Sequence, residues 1–156
     1  MTKGAIVIVG ATGGIGSTIV RRAAREGYAP LILMDRAVDS LNTIASETGG
    51  HPIGIDLNNG ASVAAAFTEA KRHAGTLYAL VLAAGVVDNG KLGDLDAERW
   101  SDIISVNLTG PFLCCLAARD WLVDGGRIVT LGSLAGRTGG VATGTAYAAS
   151  KGGVEA

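Results

Sequence analysis

Residues 5–16 read AIVIVGATGGIG, and how this stretch is parsed decides the fold. Ala5, Ile6, Val7, Ile8 and Val9 form a continuous, largely β-branched apolar run, the pattern of a parallel strand covered on both faces. Gly10, Gly13, Gly14 and Gly16 follow at once. Glycines there let the backbone turn sharply and approach a ligand closely, and a helix beginning near Gly14 or Ile15 turns unpaired N–H groups and its positive end toward whatever sits above the turn. A pyrophosphate meets that description. The spacing, Gly10-xxx-Gly14-x-Gly16, differs from the common GxGxxG, and a glycine-rich turn that merely joins a strand to a helix reads the same way.

Outward from this stretch, strands and helices alternate. Ile15, Ile19, Val20, Ala23 and Ala24 recur at helical spacing and Gly27 closes that helix. PLILMD, residues 30–35, reads as a second buried strand ending in Asp35, nineteen residues beyond Gly16. An acidic residue there accepts hydrogen bonds from adenosine ribose hydroxyls and repels a ribose phosphate, which favours NAD over NADP. Arg36 argues the other way, because a guanidinium holds a phosphate. The plainer alternatives are that Asp35 caps the next helix and Arg36 is a solvated charge. Residues 39–48 predict a short helix, 51–56 a third strand with Asp56 at its end, within reach of an adenine, and 61–73 a helix that Asp56 or Asn58 would cap instead. Residues 77–84 predict a fourth strand, 96–123 one long helix interrupted on its apolar side by Asn107, and 127–133 a fifth strand with Ser133 at its carboxyl end. A glycine- and threonine-rich loop, 134–145, precedes a last helix, AYAASKGGVEA. The expected fold is an α/β doubly wound parallel sheet of order 3-2-1-4-5, with ligands outside the carboxyl ends of the strands.

Composition narrows the function classes. The 156 residues predict one domain, 1–156, and 48% hydrophobic residues supply a substantial core. A net charge of -1 with no basic run gives no reason to expect nucleic acid or an anionic membrane as a partner. No apolar run approaches the length of a membrane span and no leader pattern opens the chain, so the expected location is cytoplasmic. Cys114 and Cys115, the only cysteines, are adjacent and read as packed thiols in a reducing compartment, and His51 and His73 stand apart from them, so no metal site is expected.

Tyr147 and Lys151 lie four apart on the last helix and share a face. A phenol with a pKa of about 10 needs roughly 4 kcal/mol of preference for phenolate to titrate near neutrality. An ammonium about 4 Å away, at an effective dielectric near 20, supplies an interaction of that order. Tyr147 would then give a proton to a carbonyl oxygen or take one from an alcohol, with Ser133 donating a hydrogen bond to the same oxygen.

The ordered set VGATGGIG, LAAG, ISVNLTG, GSLAG and YAASK resembles the short-chain dehydrogenase/reductase family from about residue 4 to the end. The resemblance implies hydride transfer between NAD(P) and a secondary alcohol or ketone. Tyr147 would be the acid/base, and Lys151 would hold the nicotinamide ribose and lower the tyrosine pKa. Ser133 would steady the substrate oxygen, and Asn107 would hold a water that relays protons to Lys151. The cofactor would rest on Gly10, Thr12, Gly13, Gly14, Ile15, Gly16, Asp35, Arg36, Asp56, Leu57, Ala83, Ala84, Gly85, Tyr147 and Lys151. Val9 replaces the family's usual threonine, and Leu82-Ala83-Ala84-Gly85 its NNAG, which predicts a looser turn. Family members continue past YxxxK by at least roughly 30 residues, with further strands and a substrate-covering segment. The chain therefore resembles a truncated or incomplete member, for which nucleotide binding without turnover is the rival reading; an epimerase or dehydratase of the wider superfamily is a third. The family also implies a homodimer or homotetramer, with Leu113, Leu116 and Trp121 as contacts.

Overall fold

In the computed structural model, which describes residues 3–156, the apolar run becomes the central strand β1, Ile6–Val9, buried along its whole length. It lies between β2 (Leu31–Asp35) and β4 (Leu77–Leu82); β3 (His51–Gly54) and β5 (Leu122–Thr130) are the flanks, giving a parallel sheet of order β3-β2-β1-β4-β5. Side chains alternate between faces along each strand, and the core divides accordingly. Val7, Val9, Ile32, Met34, Leu80 and Leu82 enter one apolar cluster, and Ile6, Ile8, Leu31, Leu33, Ala79 and Val81 the other. Burying each such side chain contributes about 1.5–3 kcal/mol, which is why strands covered on both faces are apolar at every position.

Helices α1 (Gly14–Arg25) and α2 (Val38–Thr48) cover the second cluster through Val20, Ala23, Leu41 and Ile44. Helix α3 (Gly60–His73) covers the first through Val63, Ala66, Phe67 and Ala70. Its cap is neither Asp56 nor Asn58. Asn59 has the extended backbone of a cap, and its side chain accepts from the N–H groups of Ala61 and Ser62, while Asp56 closes a small turn by accepting from Asn58 N at 3.0 Å.

The long helix expected over 96–123 is divided. It runs as α4 (Ala97–Ile104), one wider π turn (Ser105–Thr109) and α5 (Gly110–Ala118). Pro111 supplies the cause: it has no N–H to give and its ring crowds the carbonyl four residues back, that of Asn107. Gly110 N accordingly bonds to Ser105 O, five residues back. The helix stops at Ala118 because Trp121 is recruited to the sheet. Its indole N–H donates to Ala74 O at 3.0 Å and its carbonyl accepts from Leu77 N, so β5 starts at Leu122 rather than near Arg127. Between the pairs Leu77–Leu122 and Ala79–Arg127, β5 carries extra residues that loop out at Gly125, whose φ is +76°. Trp121, only 7% exposed, is thus a core residue and not the subunit contact expected; Leu113 is half-buried and Leu116 exposed.

The span Ala97–Ala118, 22 residues, is long and apolar enough to cross a membrane by length and composition, which corrects the expectation that no such stretch exists. Here Ile103, Asn107, Cys114 and Ala118 are buried within the fold. Burial, with Cys115 adjoining, pushes the Cys114 thiol up to about 12, so it stays protonated and inert, as expected of a packed thiol. A short helix, α6 (Ala135–Thr138), interrupts the expected 134–145 loop before α7 (Thr145–Glu155).

Asn59→Ala is expected to lower the unfolding free energy by about 1 kcal/mol, whereas Asn58→Ala leaves it nearly unchanged. Urea denaturation of the two variants checks this, and equal losses would return the cap to an undefined position.

Candidate functional site

Two requirements shape the first turn. Gly10 has φ +86°, and a Cβ on it would lie 2.3 Å from Ala84 N; one on Gly16 would lie 1.9 Å from Gly10 O. These two glycines permit backbone to touch backbone. Gly14 is different, with nothing within 4 Å of the Cβ it lacks, and Gly13 meets only Gly10 O at 3.5 Å. Between them they leave an open concavity at the start of α1, whose N-cap Gly13 has no side chain to satisfy the first N–H groups. A nucleotide diphosphate fits this cradle: unpaired donors, a positive helix end and no side chain in the way.

The turn is not held loosely, even without the threonine and asparagines usual in the resemblance. Gly10 N and Ala11 N both donate to Met34 O, Ala83 N donates to Val9 O, and Asp35 fastens the far side. Asp35 Oδ2 accepts from Thr12 N at 3.0 Å and Thr12 Oγ1 at 2.7 Å, and Oδ1 accepts from Arg36 N at 2.7 Å and Ala37 N at 3.3 Å. Partial burial pushes this carboxyl up, but the bonds from Thr12, Ala37 and Arg36 outweigh it and hold the group below the usual carboxylate range. Asp35 and Arg36 line a cleft of about 140 Å³ with Val9, Gly10, Ile55, Leu57 and Gly85. Ala84 lines it as well, whereas Ala83 packs into the core and Ile15 stands 60% exposed above the turn.

A second cluster forms beyond β4 and β5. Lys151 is buried, its Nζ donating to Leu131 O at 2.7 Å and lying 5.8 Å from the centre of the Tyr147 ring. Burial pushes the Lys151 ammonium below its ordinary pKa. The same Nζ is 3.9 Å from where a Gly85 Cβ would stand, and Asn107 Oδ1 is 3.3 Å from that point. Gly85 thus brings the two ligand edges together: it borders the nucleotide cleft on one side and touches Asn107 and Lys151 on the other.

Asn107 owes its place to the π turn. Its amide accepts from Val86 N at 2.8 Å and donates to Val86 O at 2.8 Å and Ser150 Oγ at 3.1 Å. Its side chain therefore ties the loop after β4 to α7. Ser133 lies just past the end of β5, and its Oγ accepts from Ala135 N at 3.2 Å, which leaves its hydrogen available to a ligand.

Sequence reasoning did not reveal one further device. Lys91 Nζ donates to the carbonyls of Gly140, Val141 and Thr143 at 2.8, 3.2 and 2.7 Å, while Gly144 N and Thr145 N donate to Asp88 O and Gly90 O. The loop after β4 thereby clasps the loop that starts α7. These partners are some fifty residues apart, so no local pattern signals them; the only hint is a lysine within an otherwise glycine-rich, acidic loop.

Known proteins share both the pattern and the fold. The short chain dehydrogenase family matches residues 4–156. The 2-(S)-hydroxypropyl-CoM dehydrogenase 3 of Xanthobacter autotrophicus is 37% identical over 96% of this chain and 60% of its own length. The mouse (Mus musculus) 3-oxoacyl-[acyl-carrier-protein] reductase is 32% identical over 94% of this chain and 63% of its own. Among solved structures, a blue fluorescent protein from a metagenomic library, in complex with NADPH, superposes with a TM-score of 0.91 at 28% identity, covering 98% of this chain and 65% of that one. The chain thus spans under two thirds of the length of these relatives. The family match over nearly every residue, on a sheet of the same order, shows that this chain belongs to the short-chain dehydrogenase family.

Proposed function

We propose that the chain is the nucleotide-binding and proton-transferring part of an oxidoreductase that interconverts a secondary alcohol and a ketone with NAD(P). The observation that carries this reading is the Lys151 ammonium, buried between Leu131 O, Gly85 and the Tyr147 ring at the edge of the nucleotide cleft. NAD(P), when bound, takes up or supplies the hydride. Gly13 and Gly14 with the first N–H groups of α1 hold its phosphates, and Asp35 and Arg36 face its ribose. Tyr147 takes the hydroxyl proton of the alcohol or returns one to the ketone oxygen. Ser133, whose Oγ already accepts from Ala135 N, spends its own hydrogen on that substrate oxygen. Lys151, its ammonium 5.8 Å from the centre of the Tyr147 ring, stands beside that exchange, and Asn107 fixes the loop and helix on either side of it.

The expected preference for NAD is not carried forward. The solved relative holding NADPH supports a phosphorylated ribose as readily, and Arg36 supplies the cation for one. Phe112 and Leu116, 62% and 50% exposed on α5, are the face we assign to pairing with a second copy. A nucleotide-binding module without turnover is the second reading: the open glycine cradle and the cleft beside Asp35 can take a nucleotide whether or not the Tyr147 side transfers a proton.

Tyr147→Phe is expected to reduce turnover on a panel of secondary alcohols by roughly 10²- to 10⁴-fold and to leave the Kd for NADH and NADPH unchanged. Stopped assays and fluorescence titration check the two halves separately. Turnover surviving the substitution would remove Tyr147 from its role, and binding without turnover in the unaltered chain would support the second reading.

A further inference from the structure

The donors around Asp35 leave little room for a ligand. A carboxylate offers about four acceptor directions, and four internal donors occupy them: Thr12 N and Oγ1 on Oδ2, Arg36 N and Ala37 N on Oδ1. Three of the four are backbone N–H groups, fixed by the glycine turn and by the junction from β2 to α2. Only the Thr12 hydroxyl swings on a side-chain bond. At 2.7 Å it also makes one of the two shortest of these contacts, and the carboxylate it meets is half-buried, where a charge-assisted bond is strong.

We propose that the Thr12 hydroxyl is a specificity-determining group of the nucleotide site: it competes with the ribose hydroxyls of the cofactor for Asp35 Oδ2 and so shifts the preference from NAD(H) toward NADP(H). This rests on the reading that the cleft beside Asp35 and Arg36 takes the adenosine ribose. An unphosphorylated ribose arrives with two donors for a carboxylate already filled, so one internal bond must give way, and the rotatable hydroxyl is the one that gives. A ribose phosphate brings no donor at that oxygen and meets the carboxylate as a like charge. The hydroxyl dipole, aimed at Oδ2, softens that repulsion, and Arg36 on the rim of the same cleft supplies the attraction. The Thr12 hydroxyl therefore weakens the unphosphorylated cofactor and favours the phosphorylated one. Its removal should do the reverse to both.

Titration of NADH and of NADPH by fluorescence into the full chain tests this with Thr12→Val, Thr12→Ala and Thr12→Ser. In the Val and Ala variants the ratio of the NADPH Kd to the NADH Kd is expected to rise roughly fivefold, the size of one hydrogen bond gained or lost, while the Ser variant keeps the original ratio. A purely structural role for Thr12, in tying down the glycine turn, would weaken both cofactors by the same factor and leave the ratio unmoved, which overturns the proposal. So does a ratio that falls, or a Ser variant that behaves like Val. If the unaltered chain binds neither cofactor, the reading of the cleft fails first and the role of Thr12 falls with it; binding of either cofactor with an unmoved ratio removes the role of Thr12 alone.

Discussion

The site depends on a contact of backbone against backbone, where Gly10 at the end of β1 meets Ala83 and Ala84 at the end of β4. A Cβ at Gly10 would lie 2.3 Å from Ala84 N and 2.7 Å from the Ala83 carbonyl carbon, so the two strands can end side by side only because the side chain is missing. This contact sits where successive crossovers turn to opposite sides of the sheet, and it sets the spacing between the two halves of the site. On one side lie the open glycines of the turn and the start of α1; on the other lie Gly85, Asn107 and Lys151. Pushing the ends of β1 and β4 apart would separate the open glycines of the turn from Asn107 and Lys151, without disturbing either cluster internally.

The two clusters solve opposite electrostatic problems. Asp35 is kept charged by donors, which overcome its partial burial and make it a tie for the turn. Lys151 is destabilised as a cation by burial, yet among the described residues its partners are a single carbonyl, Leu131 O, and the face of an aromatic ring. A cation with spare donors beside a phenol is poised to gain from a negative charge on that phenol. The clasp of Lys91 on the loop before α7 and the Asn107 bonds to Val86 and Ser150 hold this arrangement in place from two directions.

Much of this was legible from residue order. Strands buried on both faces must be apolar throughout, so β1, β2 and β4 announced themselves, and the alternation with helices of crossover length led to the strand order. Boundaries set by distant partners were not legible. Leu122 and Val123 continue the apolar pattern of the helix before them, and only the bonds of Trp121 to Ala74 and Leu77 end that helix. Asn58 and Asn59 are alike as residues; the backbone angles of Asn59 make it the cap. Within the site, Tyr147 and Lys151 became candidates through their helical spacing and Ser133 through its place at a strand end, whereas Asn107 gained its role only through resemblance. The saturation of Asp35 by Thr12 depends on how two strand ends abut, and no local signal carries it.

Bound as proposed, a dinucleotide would lie across the carboxyl ends of β1, β2 and β4 and reach Lys151. Amide chemical shifts of the labelled chain, followed while NADH or NADPH is added, test it most directly. Perturbations are expected at Gly13, Gly14, Arg36, Gly85 and Leu131, with little change elsewhere. An apolar groove of about 460 Å³ lined by Ile19, Tyr28 and Tyr78 is an alternative place for a ligand. Perturbations confined to that groove, or to the amino ends of the strands, would contradict it.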